Sequence, residues 1–421
     1  MRTKKLLMLI LALLIGLPGC TGSYVQTVEE PSRRIITVLF GQSTSDPGLE
    51  DMLIDIINSE FPDISLIWES VDWGDHFSNE MQARLASGEV PDIIIGKAQD
   101  VAAYMSSGFL AEFDPSFYSN IREEMLESVM VEGKVYGLPY NVFVQGVLYN
   151  KNIFWRYGLS PPETLAEMDA VLARLNGAGV TPFATHFREN WYVSNVSMQF
   201  AVNQVFLDNP FWGDEFREGI RSFGTSQEYA ACYMQVKTLL DNTWDDAMTV
   251  DLYECVRRFA SQEAAMFMTG TWSLQMIAAM RPDLSIGIFP YPNESGTAKL
   301  LVEPNLTFMK NARSEHVGIA GEIIKSIFNN EELAKDICEF TKTLSALRDV
   351  EADSMRQIAD DISYFIDNQQ TTDVTAGNRQ LVWRFQDACA GQVYDWLEGR
   401  IEFEDVLRFA DDNRTESGAF P

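Results

Sequence analysis

The stretch "MTGTW" (Met268–Trp272) puts a tryptophan directly after a glycine turn. An indole in that place either fills a core or offers a flat apolar face to a ligand at the mouth of a cleft. Three other aromatic positions pose the same choice: Trp383 in "RQLVWRF", Trp191 with Tyr192 in "HFRENWYVSN", and Trp73 after "ESVD". Polar side chains that can hold ligand hydroxyls or amines gather where apolar runs end. They are Gln42, Ser43 and Thr44; Gln99 and Asp100; Asn141; Glu303 and Asn305; and Arg188 and Asn190 beside Trp191. Each of these serves equally well as a turn former or a solvated residue.

Covalent and metal chemistry find little to work with. His76, His186 and His316 lie far apart, and Cys232, Cys255, Cys338 and Cys389 fall at no metal or redox spacing. No metal and no cofactor is expected. Cys232 and Cys255 form a disulfide, or all four remain buried free thiols. The motifs GxSxG, HExxH, GxGxxG and the phosphate-binding P-loop are absent. With 61 acidic residues, a carboxylate pair for glycoside hydrolysis is not excluded by counting, but no hydrolase signature accompanies it.

The elements that must position these residues alternate. "RIITVLF" reads as a buried strand, "LEDMLIDIINSEF" as a helix, "DISLIWESV" as a strand, "HFSNEMQARLASG" as a helix and "PDIIIG" as a fully buried strand. This order predicts an α/β fold with a parallel sheet and right-handed crossovers. Ligands bind such sheets outside the carboxyl ends of the strands, which places Gln42, Trp73 and Gln99 on the ligand side. A second unit starts near "LPYNVFVQGVLYN", with a helix over "PPETLAEMDAVLARLNGAG" and a strand at "VTPFAT". Residues 191–280, including "YECVRRFASQEAAMFM", read as largely helical. "SIGIFPYP" reads as a strand, and most of the chain from Ala312 onward as helix.

The chain has 421 residues and a net charge of −29, with 46% hydrophobic and 22% charged residues, so two lobes or domains are expected. Arg2, Lys4 and Lys5 precede the apolar run Leu6–Leu17, the pattern of a signal peptide over residues 1–19. "LPGC" resembles the bacterial lipobox, which implies lipidation of Cys20, with residues 20–33 as a tether to the membrane. Cleavage there leaves 29 Lys and Arg against 61 Asp and Glu. Such a surface repels phosphate backbones, so no nucleic-acid partner is expected.

Taken together, "MQARLASGEVPDIIIG", "SSGFLAEFDP", "GKVYGLPYNVFVQGVLYNKNIF", "FASQEAAMFMTGTW" and "IGIFPYP" resemble, in order and spacing, the extracellular solute-binding proteins of bacterial ATP-binding-cassette importers. The resemblance is to the carbohydrate-binding group related to maltodextrin-binding proteins. It implies a two-lobed, periplasmic-binding-protein-like (type II) α/β fold with the ligand cleft between the lobes. Lobe one would be residues 34–142 with 307–345, and lobe two residues 143–306 with 346–421. It also implies a monomeric sugar receptor that closes by a hinge and serves importer permease subunits.

In that family a tryptophan at the position of Trp272 stacks on the sugar, and Trp383 falls where another stacking aromatic comes from the C-terminal segment. Asn141 stands at a crossover and Glu303 on the return strand. Gly96, Gln99 and Phe143 depart from the maltodextrin-binding pattern, so a different sugar is expected. The alternatives are a polyamine or peptide ligand, a sensor subunit on the same fold, or a secreted glycan-active enzyme.

Overall fold

A computed structural model describes residues 33–42, 48–73, 75–350, 358–375, 381 and 383–417. The signal peptide, Cys20, nearly all of the expected tether, Ser43 and Thr44 lie outside these residues.

Two sheets organise the chain. The first opens with β1 (Arg34–Gln42), β2 (Ile64–Asp72) and β3 (Ile93–Gly96), joined by helices Leu49–Glu60 and Asp75–Ser87 as the alternation predicts. β1 pairs in parallel with both β2 and β3. The triple isoleucine of β3 is buried on both faces, as a central parallel strand requires. A small hairpin of β4 (Met130–Val131) and β5 (Lys134–Val135) leads to β6 (Leu138–Pro139).

The second sheet is built on β7 (Asn141–Asn150), with β8 (Thr181–Ala184), β9 (Ala264–Gly270), β10 (Ile286–Phe289) and β11 (Leu300–Pro304). The chain then returns to the first sheet as β12 (Thr307–Lys310), which lies between β3 and β6 in the order β2-β1-β3-β12-β6. β13 (Leu344–Ser345) and β14 (Thr371–Asp373) complete the second sheet, ordered β14-β11-β7-β9-β8 with β10 and β13 also on β7.

Each sheet has its own core. Phe40, Ile94, Tyr140, Phe308 and Ile324 belong to the first, and Val147, Phe183, Phe267, Ile288 and Phe385 to the second. The chain passes between them within a few residues, at Tyr140–Val144, at Pro304–Thr307 and after β13. Ala346, Leu347 and Val350 pack into the first core, so that core reaches beyond the boundary expected at 345.

One stretch differs from the sequence reading. "QEAAMFM" is not helix: the helix Leu252–Ala260 stops, Gln262 takes a left-handed φ of 64°, and Ala264–Gly270 becomes β9. Alanine and methionine favour helix, but all seven residues of β9 are buried, and a place between β7 and β8 overrides that preference. β13 and β14, two and three residues long, also interrupt the segment expected to be helical. The helix Leu165–Gly177 follows its signals, starting at a Thr164–Glu167 capping box.

Among the described residues Cys232, Cys255, Cys338 and Cys389 are free and buried, so the thiol alternative holds and the disulfide does not. Burial pushes all four thiols above their ordinary range.

Candidate ligand site between the two sheets

Register decides which side chains meet. In the first sheet Gln42 of β1 lies beside Asp72 of β2, so Trp73 and the residues after β3 emerge at one edge. In the second sheet Glu303 lies opposite Phe143 and Gly270 opposite Gln145. The start of β7 and the ends of β9 and β11 therefore share an edge too. Lys97, the first residue after β3, joins the two edges.

The Lys97 ammonium is 3.3 Å from Glu303 Oε1 and 2.8 Å from Asn305 Oδ1. It also sits 4.8 Å from the centre of the Trp73 ring and 5.4 Å from that of Phe143. Phe143 meets Trp272 edge-on at 5.5 Å. Trp73, Lys97, Phe143 and Trp272 thus form one line from sheet to sheet, with Glu303 and Asn305 beside it.

Both tryptophans are seated the same way. A β-carbon on Gly41 would lie 2.1 Å from the Trp73 ring, and one on Gly270 the same distance from the Trp272 ring. Each indole is laid across a glycine at a strand end. Phe77 buttresses Trp73 at 5.2 Å. Among the described residues the buried Trp272 Nε1 has no partner, and the indole is held by packing.

Other nominated residues lie elsewhere. Tyr192 is 1% exposed and stacks on His186 in the second core. Trp191 packs against the same histidine at 5.0 Å. Arg188 pairs with Asp251 at the surface, and Asn190 donates to the carbonyl of Asp387. Trp383 begins the helix Trp383–Leu397, half-buried. No ring contact ties it to the Trp73–Trp272 line among the described residues. Gln42 donates to Glu50 at 3.4 Å, and among the described residues its buried Oε1 has no partner. Gln99 sits half-buried in the turn Ala98–Asp100.

Asn141 is wholly buried. It donates to Thr341 and Thr343 and accepts from the amide of Leu306, which pins two passages of the chain together.

Three members of the site were not among the nominated contacts. Lys97 is a charged residue directly after a strand end. Gln145 is an amide inside the apolar run "NVFVQGVLY", and that misfit was the available signal. Phe143, a departure from the maltodextrin-binding pattern in the sequence, lies between Lys97 and Trp272.

Asp100 adds a titrating group. Burial raises it to about 6, opposed by Lys97 and by a hydrogen bond with Tyr104, while Glu303 adds to the rise. The folded chain therefore resists ionising it. Stability from the neutral acid is complete below the ordinary aspartate range and is lost as pH rises through about 6. Asp100→Asn should gain relative to the native chain between about pH 4 and pH 7.5. Urea unfolding of both proteins at the two pH values checks this, and an unchanged difference would contradict it.

Residues 42–333 match the family of bacterial extracellular solute-binding proteins, about two-thirds of the chain. The chain belongs to that family. Among solute-binding proteins of this kind it is 25% identical, over 69% of its length and 68% of the other's, to the melibiose/raffinose/stachyose-binding protein MelE of Bacillus subtilis (strain 168). It is 24% identical to the multiple sugar-binding protein of Streptococcus mutans serotype c, covering 58% of this chain and 60% of that one. A chitin oligosaccharide binding protein shares the fold with a TM-score of 0.75 at 21% identity, over 91% of this chain and 98% of the other. As an extracellular solute-binding protein it is a receptor and not an enzyme, and the two-lobed α/β reading stands.

Proposed function

We propose that this solute-binding protein captures a mono- or oligosaccharide between its lobes and delivers it to an ATP-binding-cassette importer. The observation that carries the reading is the pair of indoles, Trp73 and Trp272, each seated on a glycine and linked through Lys97 and Phe143, with Glu303 and Asn305 beside Lys97. A sugar ring offers C–H faces to aromatic surfaces and hydroxyls to fixed charged and amide groups. Contacts from both lobes favour the closed form, which permease subunits can tell from the open one. The sugars named for MelE and the Streptococcus protein support the ligand class. A lipid on Cys20 and the tether after it would hold the monomer at the outer face of the membrane.

The test is a fluorescence and calorimetric titration of the protein from Ser23 onward with raffinose, stachyose, chitin oligosaccharides and simple hexoses. One saturable ligand is expected, with Trp272→Ala weakening it by about thirtyfold. No binding across the set would defeat the sugar reading. Unchanged affinity in a folded Trp272→Ala protein would return Trp272 to a packing role.

A further inference from the structure

The helix Asn190–Ala201 and the π-helical turn Val202–Phe206 that continues it carry amides at four-residue spacing. Asn195, Gln199 and Asn203 are 6%, 1% and 3% exposed. A core-facing helix normally turns apolar residues inward, so a buried amide stripe needs partners and a reason. The partners form a line. Gln199 Nε2 donates to Asn195 Oδ1 at 2.8 Å, Asn195 Nδ2 to Gln145 Oε1 at 3.1 Å, and Gln145 Nε2 to Glu303 Oε2 at 2.5 Å. Asn203 takes the amide of Lys299 at 2.7 Å and donates to its carbonyl, holding the residue just before β11, the strand that carries Glu303.

The direction of this line follows from chemistry. An ionised carboxylate only accepts, whereas an amide donates at one end and accepts at the other. Paired with Lys97 at its other oxygen, Glu303 forces Gln145 to present its NH2 group. The Gln145 carbonyl must then meet a donor on Asn195, and the Asn195 carbonyl a donor on Gln199.

We propose that Gln145, Asn195 and Gln199 are positioning residues for the ligand site, a polarised amide relay that holds the Glu303 carboxylate in one orientation as an acceptor. The proposal rests on the reading of Glu303 as a ligand-facing group. Its consequence for specificity is that Glu303 takes ligand hydroxyls and turns away an acidic sugar at that point.

Reversing the relay from its far end tests it. Gln199→Glu is nearly isosteric and, at a pH high enough to ionise it, can only accept, so Asn195 and then Gln145 must turn over, bringing the Gln145 carbonyl against Glu303. In ligand-free protein the side-chain amide resonance of Gln145 should move and lose its protection from exchange. Gln199→Met, which removes a donor without reversing the line, should disturb it far less. An unmoved Gln145 resonance in folded Gln199→Glu protein overturns the relay. Asn195→Asp reverses the line one link nearer and serves if Gln199→Glu does not fold.

Raffinose titration is the second readout. Gln199→Glu should bind at least about tenfold more weakly than the native chain, and Gln199→Met should stay close to it. Equal affinity in native and Gln199→Glu proteins would overturn the positioning role. If raffinose binds neither protein, the sugar reading loses that ligand, while the amide resonance still decides the relay.

Discussion

Asn141→Leu is expected to lower the stability of the folded chain by about 3–5 kcal/mol. Leucine keeps the branched shape, with somewhat greater bulk, and removes every polar contact. The amide of Leu306 then loses its acceptor in a site without solvent, and Thr341 and Thr343 lose a shared donor. An orphaned buried donor costs about 1–3 kcal/mol, and each lost bond about 1 more. The threonines already bond each other at 2.8 Å in the native chain, so that bond remains but offsets none of the loss. Urea unfolding followed by circular dichroism measures the change. A loss below about 1 kcal/mol would mean that Asn141 is not what ties the crossovers together.

That tie bears on function because of where it lies. Asn141 opens β7, Leu306 stands between β11 and β12, and Thr343 precedes β13. Two of the passages between the sheets, at the start of β7 and between β11 and β12, therefore meet at one buried side chain, with the approach to β13 beside them. A hinge needs short segments that bend while their neighbours stay fixed. Asn141 fixes the neighbours, whereas Lys97 with Glu303 and Asn305 bridges the two sheets.

Much of this was legible in the sequence, and the physical reason differs between elements. Strands β1 to β3 alternate with helices of clear apolar period, and their order alone predicts the parallel sheet. β9 was misread because a strand buried on both faces has no alternation, and its alanines and methionines carry helical preference. The candidate site was legible only where strand ends mark it. Trp73, Trp272 and Glu303 follow from strand ends and from the family pattern. Lys97 and Gln145 do not, because their roles depend on which strands become neighbours across the return from β11 to β12. Tyr192 and Trp191 show the converse: an aromatic residue in a helix is as well used by a core, and only packing tells the two apart.

Gly270→Ala should weaken sugar binding as much as removing the indole of Trp272, with the fold intact. The backbone at Gly270 has φ −130° and ψ 176°, which alanine adopts without strain, so the whole penalty falls on what the new methyl meets. It meets the six-membered ring of Trp272 at 2.1–2.4 Å, far inside van der Waals contact. The indole must leave its seat and its edge contact with Phe143, and the surface offered to the sugar goes with it. A loss of about thirtyfold is expected, with a displaced tryptophan emission maximum and little change in the unfolding midpoint. Gly41→Ala applies the same test to Trp73, whose ring a methyl would also approach to 2.1 Å. Native affinity in both variants would mean that neither indole is a stacking surface. Loss in one alone would tell which lobe holds the ring of the sugar.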